Sequence, residues 1–189
     1  MCPPSGAILS LFERNSMLDL KSVRSGLVLA LGSILFGYGL GIAFGAAEDG
    51  IQDALKASGE AVLATVYQGN AAELEKVLAK SWTYYKRAHL HAGALGASAV
   101  AQILLLSGLA VGARWKSVTA VMLGAGALGY GLYWMLAAQR APGLGSTSAA
   151  KESLDWLAIP ASGASILGTL LVLAFAVRAL YRRRPPAGA

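Results

Sequence analysis

Residues Ser25 to Ala47 read SGLVLALGSILFGYGLGIAFGAA and carry no charged side chain. At about 1.5 Å per residue, a helix of this length crosses a hydrocarbon core of roughly 30 Å. Three more stretches share the property: Ala88 to Ala113, Ser117 to Gln139 and Trp156 to Val177. The whole chain is 56% hydrophobic and 14% charged, with a mean hydropathy of +0.55, outside the range of ordinary soluble domains. Backbone N–H and C=O groups find no water inside lipid, and no alternating barrel pattern is present, so the stretches are expected as helices.

The expected fold is an all-α integral membrane protein of four transmembrane helices. Residues 1–24 form a cytoplasmic N-terminal segment, 25–177 the transmembrane domain, and 178–189 a basic cytoplasmic tail. No hydrophobic segment with a cleavage site precedes Ser25, so the first span reads as retained. Met17, followed by Leu-Asp-Leu-Lys, is an alternative start to Met1. Cys2 stands alone and cannot form an internal disulfide.

Charge sets the expected orientation. Arg14, Lys21 and Arg24 precede the first span, Arg114 and Lys116 fill the turn between the second and third, and Arg178 with Arg182, Arg183 and Arg184 follows the fourth. The basic residues near span ends face the cytoplasm. The long segment from Glu48 to Arg87, and that from Arg140 to Asp155, then face the periplasm of a bacterial inner membrane. The net charge of +6 is largely this topology signal, with some attraction to anionic membrane lipid, and does not point to nucleic acid.

The chain also repeats. Arg24 to Leu40, RSGLVLALGSILFGYGL, aligns without gaps on Lys116 to Leu132, KSVTAVMLGAGALGYGL. AHLHAGA from Ala88 lies less closely on AIPASGA from Ala158. Two parallel two-helix repeats are expected, related by an axis along the membrane normal. Gly37, Gly41 and Gly45 recur every fourth residue in the first helix, as do Gly93, Ala97 and Ala101 in the second, a spacing that lets helices approach closely in lipid.

The segment 48–87 is more than a connection. Ile51, Leu55, Ser58, Val62 and Val66 keep a helical period, Gln68-Gly69 breaks it, and Asn70 with Glu73 has the spacing of a capping box. Two short amphipathic helices are expected to form a periplasmic cap, with Leu74, Val77, Leu78, Trp82, Tyr84 and Tyr85 on the membrane surface or the bundle.

The only two histidines stand where this cap enters the second span, in KRAHLHAGALG from Lys86 to Gly96. At about 100° per residue, His89 and His91 point some 200° apart. His91 heads a polar stripe with Ser98 and Gln102, and Tyr38 and Tyr130 lie at matching depths of the Gly-Tyr-Gly-Leu tetrads. His89 turns to another helix, the cap or a second subunit. Ala88-His89-Leu90-His91 resembles the Ala-His-Phe-His element of haem–copper oxidase catalytic subunits. The resemblance covers four residues and implies a geometric precedent: two histidines at this spacing address two different sites.

Three roles fit the pair: interfacial hydrogen bonding, ligation of haem or copper completed by a partner chain, and a proton or quinone contact. Bis-histidine haem within one chain is disfavoured because no other helix offers a histidine. A copper set of His91, Glu48 and Asp49 is geometrically conceivable. The chain carries no catalytic triad, phosphate loop, Cys-x-x-Cys pair or zinc-binding His-Glu pattern.

Two functional classes follow. One is a non-catalytic accessory subunit of a larger respiratory or redox membrane complex, joined through glycine seams and cap. The other is a small oligomeric transporter, with a haem- or copper-binding redox membrane protein as a variant reading. Proton-coupled carriers place an acid within a span, and none of these four has one, which favours the subunit.

Overall fold

The computed structural model describes residues 18–181. Among them are five helices rather than four: α1 Leu20–Glu60, α2 Ala71–Gly108, α3 Ala113–Leu144, α4 Thr147–Glu152 and α5 Asp155–Tyr181. Four of these, α1, α2, α3 and α5, are long and apolar enough to cross a membrane. Cys2, the start at Met17 and the Arg182–Arg184 cluster fall outside the described residues.

The expected cap takes a different form. α1 has 41 residues and would reach about 60 Å, twice a hydrocarbon core, so it continues through the charged segment instead of stopping. It bends at Ala47, which leaves helical geometry at φ −146° and ψ 29°, where the apolar run gives way to Glu48. α2 likewise runs unbroken from the cap into its apolar half. The amphipathic helices are therefore extensions of the first two long helices, not separate elements lying flat. A hydrogen-bonded ladder already in place adds residues more readily than a new helix starts.

The turn between α1 and α2 uses Gln68 at φ 52° and Gly69 at φ 79°, the left-handed region that glycine enters without steric cost. Asn70 then caps α2 by accepting from the Glu73 N–H at 3.2 Å. Glu73 does not reach back; its carboxylate pairs with Lys76 at 3.1 Å. α3 ends on Gly145 at φ 73°, and Ser146 caps α4 by accepting from the N–H groups of Ser148 and Ala149. The segment expected as a plain connection thus holds the last turn of α3 and all of α4.

These pieces make a headpiece with a core of Tyr67, Leu74, Val77, Ala141 and Ala150, next to a second cluster in which Leu55, Tyr84 and Leu154 meet Ala88, Tyr133 and Trp134 of the apolar half. The Tyr67 hydroxyl donates to the Pro142 carbonyl at 2.8 Å, tying the α1–α2 turn to the end of α3.

In the apolar half, α3 is central and packs against α1, α2 and α5. Glycines set the approaches: Gly26 lies against Ala120, Gly96 against Ala30 and Ile34, and Gly126 against Ala161 and Ser165. The Ser33 hydroxyl donates to the Ala92 carbonyl at 2.9 Å, a buried cross-link between α1 and α2.

At the opposite end from the headpiece, Asp19 caps α1 through the Ser22 N–H at 3.2 Å. The Lys116 ammonium donates to the Ser107 carbonyl at 2.8 Å and stands 3.5 Å from the Asp19 carboxylate. Ser107 also accepts from the Asp19 N–H at 3.2 Å. One terminal carbonyl of α2, one basic residue of α3 and the cap of α1 satisfy one another, which allows Lys116 to be buried.

Candidate functional site

The site grows from the two histidines of α2. His89 faces α1, where its Nδ1 donates to the Gly37 carbonyl at 2.7 Å. A carbonyl can only accept, so this nitrogen carries the proton. The ring fills the place a side chain at Gly41 would take, with Cε1 2.9 Å from that Cβ position, and meets Phe44 edge-on at 5.9 Å. Gly41 therefore leaves room for an imidazole, and the Gly37 carbonyl, one helical turn earlier, stays open to it.

His91 faces α3. Its ring lies 5.3 Å from that of Tyr130 and 6.1 Å from Trp134, inclined 29° to the latter. Trp134 is the hub of an aromatic group that includes Tyr84 at 4.8 Å and Tyr133 at 5.1 Å. The Arg87 guanidinium covers it, 5.0 Å from the Trp134 ring and 5.4 Å from Tyr84. On α2 the contributors are Tyr84, Arg87 and His91, three and four residues apart, which puts them on one face. On α3 they are Tyr130, Tyr133 and Trp134.

The remaining expected residues scatter. Gln102 donates to the Ser98 hydroxyl at 3.0 Å, Ser98 is exposed, and the Gln102 carbonyl oxygen is buried without a donor. Tyr130 joins the His91 group, whereas Tyr38 is 64% exposed on the outer face of α1. Glu48 and Asp49 lie exposed beyond the Ala47 bend, with the Glu48 carboxylate accepting from Gln52 at 2.8 Å. Among the described residues no three His, Cys, Asp or Glu side chains gather as a metal set, so His91, Glu48 and Asp49 are not brought together.

The small-residue stripes also part. A Cβ at Gly37 would meet the Gly93 backbone nitrogen at 2.9 Å, but Gly45 faces open space, and Ala97 and Ala101 are exposed. A four-residue spacing advances 400° against a 360° turn, so each step drifts about 40° round the helix. The buried face of α1 instead follows Gly26, Ala30, Ser33 and Gly37, at three- and four-residue steps.

A cleft of about 420 Å³ lies beside the Ala47 bend, lined by Ala47, Gly50, Ile51, Ala54, Leu55, Tyr85 and Gln139. Burial pushes the Tyr85 phenol above its ordinary value, opposed in part by a hydrogen bond with Gln139.

Sequence reading placed Arg87 among topology charges and Trp134 in a span. The signal for the cluster was available in the three- and four-residue spacings of Tyr84, Arg87 and His91, and of Tyr130 and Trp134. No family model matches the chain, and neither a curated protein nor a solved structure does.

Proposed function

We propose that this chain is a polytopic membrane protein of the bacterial inner-membrane type, serving as a non-catalytic accessory subunit of a larger membrane assembly. In this reading α1, α2, α3 and α5 span the bilayer, both chain ends and the α2–α3 turn face the cytoplasm, and the headpiece stands in the periplasm. The assembly is of respiratory or redox type, or else the chain self-associates. α1–α2 and α3–α5 descend from one duplicated hairpin.

The observation that carries the reading is the use of the histidines. His89 joins α1 to α2 and His91 joins α2 to α3, so the chemically versatile side chains of the spans serve packing within the chain. The headpiece is a built object with a core of its own and charged outer faces, which suits a docking role better than a linker. Haem or copper would require ligands from a partner chain.

A second reading, an oligomeric transporter, draws on the buried oxygens of Gln102, Thr119 and Ser165, which have no hydrogen-bond partner and lie on three different helices. Buried polar groups are nearly always paired, so such orphans suit a path for polar solutes.

Extraction in mild detergent from the native membrane separates the two. Recovery with other chains supports the accessory role. Recovery as a self-oligomer that moves solute when reconstituted overturns it.

A further inference from the structure

We infer that Arg87 and Trp134, the latter backed by the ring of His91, form a binding site for the phosphate headgroup of an anionic phospholipid on the headpiece side of the bilayer. The inference rests on the reading that the apolar helices are embedded in a membrane.

Arg87 is the last charged residue before the apolar run of α2, so its level is the boundary between hydrocarbon and water. Its guanidinium is exposed and stacked over Trp134 and Tyr84, and no described carboxylate stands within ion-pair distance. Of the headpiece cations, Lys56 pairs with Glu60 and Lys76 with Glu73; Lys80, Lys86 and Lys151 also lack a described ion pair, and Arg87 differs from them in resting on aromatic rings. An uncompensated arginine lying on aromatic rings keeps its donor fork free, a geometry that suits phosphate.

Trp134 adds a donor. Trp134 is 9% exposed, and its indole N–H is buried without an acceptor beside the arginine that covers it. Such a group seeks an acceptor, and the flexible Arg87 side chain is the cover that would move. His91 lies one turn deeper, stacked on the same indole.

A place for the acyl chains continues from there. α2 and α5 both lie on α3 and make few contacts with one another, so this flank of α2 is left uncovered by α5. Ala94 and Ser98, one and two turns below His91 on the same stripe of α2, are exposed. An uncompensated positive charge at the head of an exposed helix face matches a lipid with a net negative head. A zwitterionic lipid offers the same phosphate with its charge already balanced.

The test is native mass spectrometry of the full chain in neutral detergent, titrated with equal amounts of dioleoylphosphatidylglycerol and dioleoylphosphatidylcholine. Preferential retention of one phosphatidylglycerol is expected. Arg87→Gln should weaken that binding about fivefold, the equivalent of ~1 kcal/mol. Arg87→Lys should keep part of it. Lys86→Gln, about 100° round the helix, should leave it intact. Equal retention of both lipids, or an unchanged Arg87→Gln variant, overturns the site. Displacement of the lipid by millimolar inorganic phosphate assigns the same donors to a free anion and overturns the lipid. A chain that stays dispersed and helical without detergent defeats the membrane reading itself, a result distinct from a detergent-dependent chain without lipid preference.

Discussion

The imidazole of His89 donates from Nδ1 to the carbonyl of Gly37, 2.7 Å away across the α1–α2 seam. Gly41 makes this possible, because its missing side chain is the space the ring occupies. The glycines of α1 are thus unequal: Gly37 admits a backbone, Gly41 admits an imidazole and Gly45 admits nothing.

That inequality predicts a contrast between two identical substitutions. Gly41→Leu should expel His89 and spread α1 from α2, costing about 1–3 kcal/mol or more. Gly45→Leu, in open space and with better helix propensity, should leave stability unchanged or slightly raised. Thermal unfolding in one detergent measures both. Equal losses would mean that Gly45 is covered by a partner.

The two histidines should also differ. His89→Ala removes a hydrogen bond and opens a gap in the seam, with an expected loss of about 1–3 kcal/mol. His91→Phe keeps an aromatic ring against Tyr130 and Trp134 and should cost less than about 1 kcal/mol. A His89→Ala variant as stable as the parent would show that the seam closes without it.

Acid should weaken the end of the bundle away from the headpiece. Hydrogen bonds from Ser22, aided by the nearby Lys116, hold the Asp19 carboxyl below its ordinary value. A depressed native value means that Asp19 contributes stability above the unfolded-state pKa, and that this contribution is lost as pH falls through the native one. Melting temperature followed downward from pH 5 should therefore fall more steeply in the parent than in Asp19→Asn. Parallel curves would place the acid sensitivity elsewhere.

Topology can be read with single cysteines on exposed positions, in a Cys2→Ser background. Thr65→Cys and Ser148→Cys lie on the headpiece, and Ala113→Cys lies at the first residue of α3, beside the α2–α3 turn. An impermeant thiol reagent on intact cells should label the first two and spare the third. The reverse pattern would invert the orientation.

Much of the architecture was legible from local chemistry. The uncharged stretches from Ser25, Ala88, Ser117 and Trp156 mark the four long apolar helices because length and the absence of charge are properties of a segment by itself. The break at Gln68-Gly69 and the cap at Asn70 were legible for the same reason, since a left-handed turn and an N-cap involve neighbours in sequence. The opposition of His89 and His91 followed from 100° of rotation per residue.

Tertiary structure alone decided what each side chain meets. Glycine periodicity named a stripe through Gly45 and Ala97, but four-residue steps drift about 40° each round a helix, so the stripe left the contact. Tyr38 and Tyr130 occupy the same tetrad and part company because α3 is enclosed by three helices while the outer face of α1 is uncovered. Arg87 and Trp134 are 47 positions apart, and only the packing of α2 on α3 laid one over the other. A sequence determines which faces are apolar within a helix; which faces meet depends on the summed fit of all the helices, and that fit is a property of the folded whole.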